Sequence, residues 1–282
     1  MSEKGTLFLV ATPIGNLQDI TFRAVNTLKE VDMIAAEDTR QSIKLLNHFE
    51  IKKPLISYHE HNKNTKGNYL IEQLLIGKNI ALVSDAGSPG ISDPGEDLVK
   101  LAVENNIKVT MIPGPVAAMT GLVISGLSTG QFVFEGFLPM NKRARQEHLI
   151  RLKDEFRTII FYEAPHKLSY TLKDIYYVFG DRKIALAREL TKMHEEVIRC
   201  SLLEAMELYS EKSPKGEYVL IVEGQNLNIL KENEKDKFSE ISIEEHVQMY
   251  IDEGLSKKDA IKKVADDRGL IKRDVYNVVM KK

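Results

Sequence analysis

The chain is short of cysteine, of long apolar runs and of any excess of one charge, and each shortage removes a class of function. A single cysteine, Cys200, among 282 residues leaves no partner for a disulfide and no thiolate set for a zinc site. No apolar run approaches the roughly 20 residues needed to span a bilayer. The first residues, MSEKGTLFLVATPIGN, hold one basic residue and a strand-length apolar run without a small-residue cleavage site. They do not read as a secretory signal, and a cytoplasmic address is expected. Lys and Arg number 39 against 41 Asp and Glu, a net charge of -2, which argues against a protein that coats nucleic acid indiscriminately. Any polynucleotide contact must then be a local basic patch. The glycine spacing of a dinucleotide fingerprint and the Gly-Lys-Ser/Thr ending of a P-loop are also missing, which disfavours a nicotinamide dehydrogenase.

What is present is a repeated alternation of apolar strands and helical patterns. Leu7 to Ala11 precedes a helix over Thr21 to Val31; Met33 to Ala36 precedes one over Arg40 to His48; Ile80 to Ser84 precedes one over Gly95 to Asn105. Val109 to Ile112 leads into PGPVAAMTGLVISGL, where Pro115 suits the first turn of a helix. The alternation restarts with strands at Phe132 to Phe137, Thr158 to Tyr162, Ile184 to Ala187 and Tyr218 to Val222. The expected class is α/β, with sheets covered by helices. The expected division is two α/β lobes, 1–115 and 116–226, a charged linker over 227–240, and a tail over 241–282. In the tail, three short amphipathic helices separated by Gly254 and Gly269 suggest a helix-turn-helix-like appendage, either RNA-binding or a packing and dimerisation bundle.

Polar clusters fall repeatedly just after apolar strands. Pro13 lies in the turn ATPIGNL; Glu37, Asp38 and Arg40 lie in AAEDTR; His59, Glu60 and His61 lie in SYHEHNK. Ligands of open α/β sheets sit outside the carboxyl ends of strands, so these clusters point to one shared cleft. Adjacent carboxylates on a strand face opposite ways, so one of Glu37 and Asp38 at most is expected to reach a given ligand atom, and an ion pair to Arg40 competes for either. His59 and His61 would share a face on a strand and could bind a metal, but no third ligand is near, and hydrogen-bonding or solvent-facing histidines are the favoured reading. Ser84 to Gly95, SDAGSPGISDPG, combines glycines that permit close approach with prolines that stiffen the path, which suits a loop that holds a ligand by main-chain groups. It has no Lys or Arg, so a ligand with ribose hydroxyls, an amino group and a sulfonium suits it better than a polyphosphate.

VATPIGNLQDIT, AAEDTR, YHEHN, VSDAGSPGISDPG, IPGPVAA, FYEAPHK and LARELTKMHEE, in this order from Leu7 to about Glu223, together resemble the tetrapyrrole-methylase superfamily of S-adenosyl-L-methionine-dependent enzymes. Within it they are similar to the branch that methylates a cytidine ribose 2'-hydroxyl in 16S ribosomal RNA. The resemblance implies a bilobal homodimer with the cofactor folded in the cleft between the lobes. By the same resemblance Ala86, Gly87, Ser88 and Ile91 line its methionine and ribose portion, Val116 and Ala117 close another side, and Tyr162, Glu163, Ala187 and Arg188 complete the pocket. The tetrapyrrole enzymes carry Asp where this chain has Ser88, which leaves the main-chain contact but not the side-chain one.

The catalytic set expected at the cleft edge is Glu37, Asp38, His59 and Glu189, with Arg40 and Lys192 as cations for flanking phosphates. Lys142, Arg143 and Arg145, in an expected loop within LPMNKRARQEHLIRLK, are the expected contacts to RNA phosphates, the alternative being a solvated surface loop. The implied partner is 16S rRNA within the 30S subunit. The rivals are a same-fold methylase of a small tetrapyrrole and a non-catalytic RNA-binding or ribosome-assembly protein; the basic loop and the tail favour RNA over a porphyrinoid.

Overall fold

The structure, a computed structural model, describes residues 3–211, 213–228, 238 and 241–280. The chain divides into two compact units, one of residues 1–150 and 157–223, the other of 151–156 and 224–282. Most of the expected linker, 229–237 with 239 and 240, lies outside the described residues.

The first unit holds two five-stranded sheets. Strands β1 (Thr6–Val10), β2 (Met33–Ala36), β3 (Leu55–Ser57), β4 (Ile80–Val83) and β5 (Lys108–Ile112) form the first, in the order β3-β2-β4-β1-β5, and every pairing is parallel. β2 and β4 are buried at every position, which is why MIAA and IALV read as unbroken apolar runs rather than alternations. Side chains of β1 divide by parity. Leu7 and Leu9 pack with Leu70, Leu74 and Leu98, from α3 (Lys63–Leu75) and α4 (Gly95–Glu104). Val10 packs with Ala24, Leu28 and Leu46, from α1 (Phe22–Glu30) and α2 (Thr39–His48). A sheet with helices on both faces leaves its functional groups at the strand ends.

α5 (Ala117–Ser125) carries the chain into the second sheet. Its helix starts one residue after Val116, so Pro115 precedes the helix instead of opening it. The second sheet comprises β6 (Phe132–Phe137), β7 (Thr158–Glu163), β8 (Lys183–Arg188), β9 (Glu196–Ser201) and β10 (Tyr218–Val222), in the order β6-β7-β10-β8-β9. β6 and β7 are parallel and the other pairs antiparallel. Helices α6 (Lys142–Arg151), α7 (Leu168–Phe179) and α8 (Leu202–Glu211) complete this half. Ala118 and Leu122 of α5 share a core with Ile160, Ala185, Val219 and Ile221, so the connection between the sheets is itself packed.

Among the described residues the second unit has helices α9 (Ile243–Asp252), α10 (Lys257–Arg268) and α11 (Lys272–Met280). Ser242 and Glu245 form a capping box at the start of α9, and Ser256 caps α10. Gly269, at φ 62°, ends α10 in the left-handed region. Val247, Ile261, Val264 and Val275 form a small core of their own. Among the described residues no helix is long and apolar enough to cross a membrane.

Candidate functional site

The carboxyl ends of β1, β2 and β4 converge, and the loops beyond β1 and β4 are tied to each other by main-chain bonds. Thr12 N–H donates to Gly87 O (2.8 Å), and Gly87 N–H donates back to Thr12 O (3.1 Å). Gly87 adopts φ 80°, a conformation open to glycine, and a Cβ there would lie 3.2 Å from the Ile14 side chain. Both main-chain groups of Gly87 are therefore engaged with Thr12, and Gly87 also lines the adjoining cleft. The next turn is held by Asp93, whose carboxylate accepts from Gly90 N–H (2.9 Å) and Gly95 N–H (2.8 Å). Two sequence features, the glycines and the acidic residue among them, are thus one construction.

A cleft of about 430 Å³ opens between this crest and the second sheet, within the range that small-molecule sites occupy. From the first sheet come Ile14, Glu37, Ser84 to Ser88, Ile91 to Asp93, Val116 and Ala117. From the second come Phe137, Tyr162 to Pro165, Ala187, Leu190, Lys192 and Glu217 to Val219. Of the expected residues the cleft gathers Glu37, Ala86, Gly87, Ser88, Ile91, Val116, Ala117, Tyr162, Glu163, Ala187 and Lys192.

The lining is acidic, and its titratable groups differ by environment. Burial, followed by the nearby Asp85 and Asp93, pushes the Glu37 carboxyl above the usual range. Asp85 links this carboxyl to the next residue: its side chain accepts from Asp38 N–H (2.9 Å), while its own N–H bonds Glu37. Burial likewise raises Asp93. Lys192 is a lining cation, but its ammonium donates to Glu189 (2.9 Å) and Glu217 (2.8 Å). Burial works against its charge, yet those two bonds hold its pKa above the ordinary lysine value. Glu163 is 2% exposed, and its carboxylate accepts from the Thr171 hydroxyl and from Ala164 N–H, so it braces the wall.

Several expected participants lie elsewhere. Asp38 caps α2 and forms an ion pair with Arg40 (2.8 Å); the hydrogen bond from that guanidinium holds its carboxyl down at about 2, too acidic for a base at neutral pH. β3 ends at Ser57, so His59 and His61 lie beyond the strand, with their rings edge to face and centroids 6.0 Å apart. His59 is outside the lining, with Nε2 3.2 Å from the Asn62 amide. Pro13 and Glu189, next in sequence to Ile14 and Leu190, are outside the lining, and Arg188 pairs with Glu196 (3.0 Å).

The basic segment needs a correction too. Lys142 to Arg145 is the first turn of α6, not a loop. Lys142 and Arg143 are exposed, Arg143 pairing with Glu147. Arg145 is 8% exposed; its guanidinium meets Asp174 at 2.6 and 2.7 Å and donates to the carbonyls of Pro139 and Met140. It is a core ion pair and unavailable to RNA. Lining residues without a sequence signal of their own are Phe137, Leu190, Glu217 and Val219; the polarity of Asp85 and Asp93, set among glycines, is a usable signal for those two.

The profile of the family described as Tetrapyrrole (Corrin/Porphyrin) Methylases matches residues 6–205, a span that contains nearly the whole cleft. The chain belongs to that family. It is 53% identical to "Ribosomal RNA small subunit methyltransferase I" of Halalkalibacterium halodurans over 98% of this chain and 95% of the relative. It is 50% identical to the protein of the same name from Bacillus subtilis, over 98% and 94%. Among solved structures, uroporphyrin-III C-methyltransferase from Thermus thermophilus, complexed with S-adenyl homocysteine, superposes with a TM-score of 0.55 at 16% identity, covering 80% of this chain and all of that one. At that identity the likeness establishes the fold.

Proposed function

We propose that the protein is an S-adenosyl-L-methionine-dependent methyltransferase that modifies a cytidine ribose 2'-hydroxyl in the decoding region of 16S rRNA, with the assembled 30S subunit as substrate. The observation that carries the reading is near-full-length identity above half to a relative named for small-subunit ribosomal RNA methylation, joined to a cleft of suitable size and charge.

The cleft fits such a donor on its own terms. Glu37, Asp85 and Asp93 favour a ligand carrying positive charge, while Ile14, Ile91, Val116 and Leu190 provide apolar wall. Lys192 is already bonded to two carboxylates, so a polyphosphate would find no free cation there. Ala86, Ser88, Ile91, Val116, Ala117, Tyr162 and Ala187 would hold the donor, which when bound supplies a methyl group on a sulfonium to the ribose oxygen.

The chain's own contribution is chiefly alignment. Holding the hydroxyl in line can supply roughly 7 to 11 kcal/mol in favourable systems. We assign Glu37, a lining carboxylate, to take the hydroxyl proton, a role worth about a hundred- to ten-thousand-fold, and its raised pKa brings it closer to the matching range. Asp38 and His59, which the cleft does not gather, drop behind it. Lys142 and Arg143 are the proposed phosphate contacts, and the three-helix unit a further RNA-facing element.

The chain is read as a homodimer located in the cytoplasm; exposed apolar side chains such as Met111 and Val123 support the pairing, which sedimentation would test. The function itself is tested by tritiated methyl incorporation with 30S subunits, naked 16S RNA and a porphyrin precursor, followed by mass mapping of the methylated nucleoside. Labelled 2'-O-methylcytidine in small-subunit RNA is expected. Label in the porphyrinoid would favour the small-tetrapyrrole reading, and no label anywhere would leave a non-catalytic RNA-binding protein.

A further inference from the structure

One loop of the second sheet is built against its own conformational preferences. After β8, Glu189 adopts φ 50° and Thr191 φ 65°. A β-branched residue in the left-handed region is an outlier and is retained where the surroundings demand it. The surroundings here are specific. Thr191 N–H donates to Glu195, and Glu189 N–H donates to Glu217 O, with Glu217 N–H returning to the Glu189 carboxylate (both 3.0 Å).

What the strained conformation achieves is a contact with the other half of the cleft. Asn16 N–H, in the loop after β1, donates to Thr191 Oγ1 (3.1 Å). Gly15 makes the approach possible: a Cβ there would fall 2.4 Å from Lys192 Cγ, 2.8 Å from Thr191 Oγ1 and 2.9 Å from Leu190 O. Gly15 does not have positive φ, so closeness alone accounts for the glycine. On one side of this contact Ile14 enters the core of the second sheet beside Leu190. On the other, Lys192 follows Thr191 directly. Ile14, Leu190 and Lys192 all line the cleft.

We propose that Thr191 is a positioning residue whose hydroxyl clasps the Asn16 main chain and fixes the spacing of the two halves of the cleft at which the methyl donor is held. Were the residue there only to complete the fold, glycine or asparagine would serve better, because both accept the left-handed region at less cost. Threonine trades that ease for an acceptor aimed across the cleft. The inference rests on the methyl-donor reading of the cleft for its functional part only.

The test compares the full chain with Thr191→Ser, Thr191→Gly and Thr191→Val, using calorimetry with S-adenosylmethionine, thermal melting, and hydrogen exchange at the Asn16 amide. Thr191→Gly removes both strain and acceptor. It is expected to melt no lower than wild type, to lose Asn16 protection, and to bind the donor about three- to tenfold more weakly, the effect of one net hydrogen bond. Thr191→Val keeps the branching and should show the same loss of affinity; Thr191→Ser should restore donor affinity and Asn16 protection. Donor affinity in Thr191→Gly equal to wild type, with Asn16 still protected, overturns the proposal. If wild type binds no donor, the methyl-donor reading fails; unchanged Asn16 exchange in Thr191→Gly would then refute the clasp as well, and lost protection would sustain it.

Discussion

Replacing Arg145 by methionine should destabilise the second half of the cleft without weakening RNA binding in the way that removal of a phosphate ligand would. The guanidinium lies 2.6 and 2.7 Å from Asp174, with both side chains about nine-tenths buried, and it also satisfies two carbonyls at 139 and 140. Removing one partner of a buried ion pair leaves the other charge uncompensated, at a cost of about 3–5 kcal/mol. Gln146 also donates to Asp174 (3.0 Å), which softens the effect towards the lower figure. For a unit of this size, melting should fall by about 6–20 °C. Adding Asp174→Leu should recover most of that stability, because an apolar pair of similar volume removes the stranded carboxylate. Calorimetric melting of the single and double variants measures this directly. In parallel, Lys142→Ser with Arg143→Ser should leave melting almost unchanged and lower the salt slope of RNA binding by about one for each phosphate no longer neutralised. If Arg145→Met melts with the wild type and instead reduces the salt slope, the buried-pair account is wrong and Arg145 faces RNA.

Glu37→Gln should reduce methyl transfer at saturating donor by about a hundredfold or more while leaving the protein folded. Because the Glu37 carboxyl is raised by burial, Asp85 and Asp93, wild-type activity should fall as pH drops through a pKa above 4.5, and the variant should lack that limb; a limb that survives in Glu37→Gln assigns the base elsewhere. In the three-helix unit, His246 is fully buried between Phe238 and Tyr250. Arg268 Nε donates to its Nδ1 (3.1 Å), and Asp267 lies 3.7 Å from Nε2. Burial, then Arg268, lowers its pKa below 6.5, so the fold favours neutral imidazole. That contribution is present above pH 6.5 and is lost as pH falls below it, as the unfolded chain takes up the proton first. Helix melting that weakens as pH falls below 6.5 in wild type, but less in His246→Gln, is the expected result; equal slopes would refute it.

The alternation of strands and helices is legible because burial writes itself into short apolar runs. β2 and β4 are all-apolar because helices cover both faces, and Gly254, Ser256 and Gly269 mark their helix ends by local chemistry alone. β9 carries no such mark, because EVIRCS is half-exposed along its length and so lacks the run that distinguishes its neighbours. Within the site, residues held by local geometry can be anticipated, as with Gly87 and Ala117. Residues whose role depends on a partner distant in sequence cannot. Arg145 reads as one more cation in a basic run, yet Asp174, 29 positions on, claims it. Asp38 and Glu37 are neighbours in sequence, but one turns to Arg40 and the other into the cleft. Thr191 gives the sharpest case. Its type does not suit its backbone conformation, and the Asn16 N–H, 175 positions away, is what makes threonine a reasonable residue there. A residue that violates a local rule without local compensation is a pointer to a distant contact, and here that contact spans the cleft where the chemistry is proposed to occur.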